Sequence, residues 1–396
     1  MSAPPPWVKA LSYELRPAGS SALVKRRRPA DTGGAPNKTR PTVRAPRLTT
    51  KKPDERERLS GGGFFCFTTG TAGMNEQLLN VLRAEYCGQE HPELAPFVEH
   101  FRARFPDRLL AVVFYGSRLD PATATDTSFY DFYLVCDDAK DLFPRWRDRL
   151  LLRLLPPNIY YLELPGEGEK KLAGKYCVIT LPDLQEQVGE LAKDLYHLGR
   201  FSKRLQLLWW RDGFDRDAVL GCCLRAMETL LPHAVASVSN IFELPDLIRK
   251  ALALSYEGEV RLEDVARKVD SLYNVAPEFY ARIYGELLAE FRAQNREIFH
   301  EPKENDPPGT IYLRRSPRVH AELHEPTREL LRRSRRRAVL RWPKNILLVD
   351  NWVDILLAKL ERTYGVKLEL TPRERRWILI FGWRHYFRLR RQGRIH

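Results

Sequence analysis

The sequence predicts an α+β fold in which a mixed-sheet domain is followed by a helical domain and a basic amphipathic C-terminal extension. Three observations lead there. Between residues 94 and 185 short apolar runs of strand length alternate with stretches of helical spacing. From 183 to 300 the apolar positions recur every three or four residues. The charge is also unevenly placed: the 396-residue chain carries +14 overall, about +9 over residues 1–73, about −9 over 74–313 and about +14 over 314–396. An acidic body with basic ends implies that the ends meet an anionic surface, either lipid headgroups or nucleic acid.

Residues 1–73 are rich in Pro, Arg, Thr and Gly and lack hydrophobic periodicity, so disorder is expected there. Helical spacing begins directly after Met74, with Leu78, Leu79 and Leu82, which makes Met74 a plausible true start. A targeting peptide fits less well, because the segment has neither an amphipathic Arg/Ser helix nor a hydrophobic stretch. The sheet domain, 74–185, is predicted as a helix over Leu94–Arg104, strands over Leu109–Tyr115 and Phe129–Val135, a helix over Leu142–Leu155, and strands over Ile159–Leu164 and Lys175–Thr180. The domain 186–300 is read as helical, with helices over Leu184–Leu198, Phe201–Trp210, Asp217–Leu231, Asn240–Tyr256, Leu262–Leu272 and Pro277–Phe299. Residues 301–396 open with a linker at Pro302–Pro308 and continue as the basic extension.

That extension contains the run Arg332, Arg333, Arg335, Arg336, Arg337, an amphipathic segment Ile346–Leu360, and a helix start at Thr371-Pro372. Its last segment interleaves Trp377, Phe381 and Trp383 with Arg384 and Arg388, a pattern suited to a bilayer surface; docking on the core and RNA binding are the alternatives. The six cysteines form no C-x-x-C pair and lie mostly in apolar segments, which points to a reducing compartment and gives no zinc signature. No apolar run is expected to reach the roughly 18–20 residues that span a bilayer.

The candidate site is Phe114–Val135. An apolar strand ends in Gly116-Ser117, and a second apolar strand carries one carboxylate, Asp131. A Gly-Ser turn lets backbone N–H groups and a hydroxyl approach phosphate closely, and a carboxylate on the next strand can hold Mg²⁺ between phosphate oxygens. This is the pattern of a nucleotidyltransferase (polymerase-beta-like) mixed-sheet domain. The plainer reading is an ordinary turn beside a sheet-edge aspartate.

Several segments together resemble the mitochondrial-type CTP:phosphatidate cytidylyltransferases, the translocator assembly and maintenance family, which has bacterial members. The G-S turn is similar to Tyr115-Gly116-Ser117-Arg118, the D-F strand to Asp131-Phe132, and the K-Y-G-V-I strand to Lys175-Tyr176-Cys177-Val178-Ile179. The helix that contains G-R-x-x-K-P is similar to Gly199-Arg200-Phe201-Ser202-Lys203-Arg204, and S-L-S-Y-x-G-D-x-R to Ala253 through Arg261. The K-V-x-N-I-V-x-P run is similar to Lys268 through Pro277. The resemblance covers about residues 108–290 in order. Arg118 and Cys177 stand where the family keeps glycine, and Tyr133 stands where the D-x-D pattern has its second carboxylate.

The resemblance implies attack of a phosphatidate oxygen on the α-phosphorus of CTP, giving CDP-diacylglycerol and pyrophosphate with Mg²⁺ as cofactor. It implies Asp131 and Lys175 as catalytic residues, with Asp131 and Glu163 on the metal. Tyr115, Gly116, Ser117, Arg118 and Tyr176 would bind nucleotide. Arg200 and Lys203, three apart and expected on one helix face, would hold the lipid phosphate. The partners are then CTP and phosphatidate in an anionic membrane, with no specific nucleic acid. The location is peripheral, on the cytoplasmic face of a membrane or the matrix side in a mitochondrion. Two rival readings remain: a nucleotidyltransferase acting on RNA or a small acceptor, and a non-catalytic membrane-associated scaffold.

Overall fold

A computed structural model describes residues 75–119, 129–137, 146–166, 171–259, 264–300, 305–314, 316–348, 353–354, 357, 360–361, 365 and 367–392. The expectations for residues 1–74, and most of the amphipathic segment Ile346–Leu360, lie outside the described residues.

Five strands form one mixed sheet: β1 (Leu109–Tyr115), β2 (Tyr130–Cys136), β3 (Ile159–Pro165), β4 (Lys171–Thr180) and β5 (Gln206–Trp210), in the order β3-β4-β2-β1-β5. Only β2 and β4 run parallel; the other pairs are antiparallel. The α+β class with a mixed sheet is therefore as expected. Strand β5 corrects the expected helix over Phe201–Trp210. The run Leu207-Leu208-Trp209-Trp210 has no β-branched residue to mark a strand, and pairing with the free edge of β1 settles its conformation.

Alternation along the strands divides the core in two. Phe114, Phe132, Leu134, Tyr176 and Val178 face one side and pack with Phe97 and Phe101 of α2 (Ala95–Arg104). Ala111, Val113, Tyr133, Val135, Cys177 and Ile179 face the other side, where the helices lie. These are α1 (Glu76–Cys87), α4 (Leu181–Val188), α5 (Leu195–Phe201), α6 (Asp217–Val235), α7 (Leu244–Glu257), α8 (Val265–Val275) and α9 (Pro277–Gln294); α3 (Trp146–Leu154) precedes β3. Their starts are chemically marked: Asn75, Thr180, Asp194 and Asp264 accept from the first free N–H groups of α1, α4, α5 and α8. Glu243 and Asp246 form a capping box on α7.

Helix α6 is long and apolar enough by composition to cross a bilayer, contrary to the expectation that no run approaches that length, but 72% of its apolar window is buried in this core. Three short strands, β6 (Ile241–Phe242), β7 (Phe299–His300) and β8 (Ile311–Leu313), pair in the order β6-β8-β7. The last two bracket the expected linker at Pro302–Pro308, whose residues 302–304 lie outside the described set.

The arginine run does not stand apart from the body. It lies in α10 (Glu325–Leu348), which is folded against the helices and against the connection from α3 to β3. Ser334 accepts from Leu195 N at 2.9 Å, Arg335 donates to Glu257 O at 2.8 Å, and Arg333 donates to Ala192 O at 3.2 Å. Asp194 Oδ2, at 1% exposure, receives both Arg337 and Arg341, at 2.5 and 2.6 Å. Four successive carbonyls at the end of α3 and just past it are also taken: Leu154 by Arg337, Leu155 and Pro157 by Lys344, and Pro156 by Arg341. A helix end leaves carbonyls without partners, and cations are the natural donors for them. Burial and Arg341 lower the Lys344 pKa to about 7, and ammonium or amine alike can donate to two carbonyls. Beyond α10 lie α11 (Pro372–Arg376), with the expected start in a Thr371–Glu374 capping box, and α12 (Ile378–Arg391).

Candidate functional site

One cross-strand row carries the polar groups. Tyr115 of β1 pairs with Asp131 of β2, Asp131 with Lys175 of β4, and Lys175 with Tyr161 of β3. Paired residues share a face, so the row lies on the helical side of the sheet, above Tyr133 and Cys177. Gly116 follows β1 at φ 99°, a conformation glycine adopts without a Cβ penalty. A Cβ there would lie 2.8 Å from Asp131 Oδ2, so the turn is folded directly against this carboxylate. Ser117 comes next, in a turn closed by Leu119 N donating to Gly116 O at 3.2 Å. The row thus joins Tyr115, Gly116, Ser117, Asp131 and Lys175 at one end of the sheet.

The floor and wall of the site are aromatic. Tyr133, one row deeper, is hydrogen-bonded through its hydroxyl to His197 Nδ1 at 3.2 Å, and its ring centroid lies 4.9 Å from that of Tyr115. Burial lowers the His197 pKa to about 3, so the ring is neutral. Burial raises the Tyr115 and Tyr161 phenols, and the Asp131 charge adds to both shifts. Tyr196, on the first turn of α5, is held between two guanidinia: Arg200 Cζ lies 3.5 Å and Arg341 Cζ 4.7 Å from its ring centroid. Lys175 Nζ lies 4.2 Å from the Phe129 ring centroid and 5.7 Å from that of Tyr161.

Other expected site residues lie elsewhere or are engaged differently. Tyr176 follows Lys175 on a strand and must face the opposite side; it is 6% exposed, stacks on Tyr160 and lies tilted against Phe101 in the other core. Arg118 donates to Tyr130 Oη at 3.1 Å and lies over that ring, on a residue of the opposite face. Glu163 shares the face of the row but pairs with Ala173, two residues further along, and is separated from Asp131 by β4. Two strand spacings amount to about 10 Å.

The expected helix face shared by Arg200 and Lys203 does not form, because α5 ends at Phe201 and Lys203 lies in the following turn. Arg200 pairs with Glu259 at 2.6 Å. Burial opposes its charge, but Glu259 and the surrounding tyrosines outweigh that and hold the guanidinium protonated. Lys203 Nζ lies 3.8 Å from the Tyr256 ring centroid. Two segments that carry the resemblance therefore meet in space. A Cβ on Gly199 would lie 2.4 Å from Ser255 Cβ, so this glycine permits the close crossing of α5 and α7.

Mg²⁺ typically uses one or two protein carboxylates and completes its shell with water and substrate phosphates. Asp131, half-buried with Gly116 folded against its carboxylate, is a residue of the type that use requires. Among the described residues no group of three or more His, Cys, Asp or Glu is placed to hold a metal. Tyr133 stands where the expected D-x-D pattern has its second carboxylate, and its hydroxyl is hydrogen-bonded to His197.

Of the membrane-surface candidates, Trp377 and Trp383 are 54% and 55% exposed, and Arg384 and Arg388 are exposed beside Phe387. Phe381 is only partly exposed, and the buried side of α12 carries His385 and Leu389. Tyr161, Tyr196, Glu259 and Arg341 complete the site and were not singled out from sequence. The row register could have pointed to Tyr161, whereas nothing local marks Arg341. A scan against protein-family models and a search of curated proteins found no match to this chain.

Proposed function

We propose that this protein is a nucleotidyltransferase that transfers a cytidylyl group from CTP to phosphatidate, forming CDP-diacylglycerol and releasing pyrophosphate. The observation that carries the reading is the row Tyr115–Asp131–Lys175–Tyr161 with Gly116 folded onto the Asp131 carboxylate. A turn of this kind brings main-chain N–H groups and the Ser117 hydroxyl to a triphosphate, and Lys175 supplies a compact positive charge for phosphate oxygens. Asp131, with a contribution from Glu163 only if the ligand bridges the strand between them, would hold Mg²⁺, which when bound neutralises triphosphate charge. The residues themselves align the phosphatidate oxygen with the α-phosphorus and exclude water with the aromatic wall of Tyr115, Tyr161 and Tyr196. Arg200 serves as a fixed charge behind Tyr196, paired with Glu259.

The exposed Trp383, Phe387, Arg384 and Arg388 of α12 support work at an anionic bilayer surface, where rings sit at headgroup depth and cations meet phosphates. Tyr133 in the place of a second carboxylate favours, as a second reading, a scaffold that binds nucleotide or lipid without catalysis.

The deciding experiment incubates labelled CTP with the full chain, phosphatidate vesicles and Mg²⁺ and measures chloroform-extractable label, with Asp131→Ala in parallel. The proposal expects label in the organic phase, a loss of about a hundredfold or more in Asp131→Ala, and none in the presence of a chelator. If folded, vesicle-bound protein yields no organic-phase label, the lipid reaction is wrong, and RNA or small-molecule acceptors and the scaffold reading come forward.

A further inference from the structure

Helix α3 turns apolar side chains to solvent. Trp146, Leu150 and Leu154 are 65%, 45% and 56% exposed, and their spacing of four places them in a single stripe. Leu152, on another side of the helix, packs with the core. The stripe is not the loose edge of a poorly held helix, because the carbonyls from Leu154 to Pro157 are bound by Arg337, Arg341 and Lys344. The turn of α10 that makes those bonds also exposes Val339 and Leu340. Arg149 on α3 and Arg335 and Arg336 on α10 are exposed too. Asp148, the one acidic residue of α3, is half-buried, and its charge partly offsets the lowering of the Lys344 pKa.

We propose that α3 and the adjoining turn of α10 form a docking face for an anionic lipid bilayer. Tryptophan, leucine and valine side chains enter the boundary between headgroups and acyl chains, and the arginines meet lipid phosphates. Charge selects this occupant: the exposed ionic groups of α3 and of this turn of α10 are cationic, so the face is matched to a negative surface. The docking deepens the preceding reading, on which it rests for its purpose, because phosphatidate is held in a bilayer and α3 leads directly into β3, which carries Tyr161.

The test is flotation of the full chain with vesicles of phosphatidylcholine alone or mixed with phosphatidylserine, an anionic lipid that is not the proposed acceptor. Wild-type protein is expected on the mixed vesicles only. The double variant Trp146→Glu with Leu150→Glu is expected to lose at least about tenfold in binding while α12 is intact. Circular dichroism checks the fold; should the pair fail to fold, Trp146→Ser replaces it, with about a threefold loss expected. Equal binding to both vesicle types overturns the proposal, as does unchanged binding of the variant. A wild-type dimer that the variant converts to monomer also overturns it and assigns the face to a second copy of the chain. Transfer to phosphatidate in detergent micelles is read separately. Its absence in the wild type ends the transferase reading and leaves the vesicle result standing.

Discussion

Helices α10 and α12 are both arginine-rich, yet Arg337 and Arg341 of the first and Arg384 and Arg388 of the second use their charges in opposite ways. In α10 the guanidinia of Arg337 and Arg341 converge on the buried Asp194 and on main-chain carbonyls. In α12 Arg384 and Arg388 remain at the surface beside exposed Trp383 and Phe387. The contrast teaches that an arginine run is defined by its acceptors, which a count of positive charges does not reveal. Where a buried carboxylate and free helix-end carbonyls are within reach, the run becomes a clamp.

The sharpest way to break this comparison is to remove the acceptor. Asp194→Ala leaves two guanidinia without their shared carboxylate and is expected to cost about 3–5 kcal/mol in urea denaturation; a loss below about 1 kcal/mol would place α10 among solvated helices. Next in size is Gly199→Ala, whose methyl would meet Ser255. The same measurement should show a loss of about 1–3 kcal/mol from overpacking.

Acid sharpens the picture further. Burial lowers the His233 pKa to about 4 and the His197 pKa to about 3, and His233 Nδ1 contacts Thr327 of α10 at 2.8 Å. Both rings are neutral in the fold, whereas the unfolded chain takes up protons near pH 6.5. Their contribution is therefore present above about pH 6.5 and lost as pH falls toward 4 for His233 and 3 for His197, at roughly 1.4 kcal/mol per pH unit for each. Denaturation midpoints between pH 7 and 4 should fall accordingly, and His233→Gln should flatten part of the slope. The smallest effect is expected in α12: Arg384→Ala with Arg388→Ala should change stability by no more than about 0.5 kcal/mol, while weakening binding to anionic vesicles in low salt.

The elements most legible in the sequence are those with their own local marks. Strand β1 falls on the expected Leu109–Tyr115, and Asp131 and Lys175 meet because apolar strands place them there. The two-residue period of a strand also held the information that Tyr176 must leave the site that Lys175 enters. Reading the K-Y pair as one unit concealed it. Strand β5 was hidden for a different reason, since a leucine-rich run acquires strand geometry only from the edge it joins. The clamp was least visible of all. Arg341 and Asp194 are 147 residues apart, and the carbonyls that Lys344 binds lie 187 and 189 residues away and have no residue type to announce them.

That sequence distance has a consequence for how the protein is made. A chain emerging from the ribosome completes the sheet and the helices through α9 well before Arg337, Arg341 and Lys344 are synthesised. Until then Asp194 has no guanidinium partners from α10, and the carbonyls beyond α3 lack the donors that hold them in the finished fold. The nascent body must keep this carboxylate hydrated, and Tyr196 next to it lacks one of its two flanking cations. Synthesis of α10 is thus the step that seals the wall of the site.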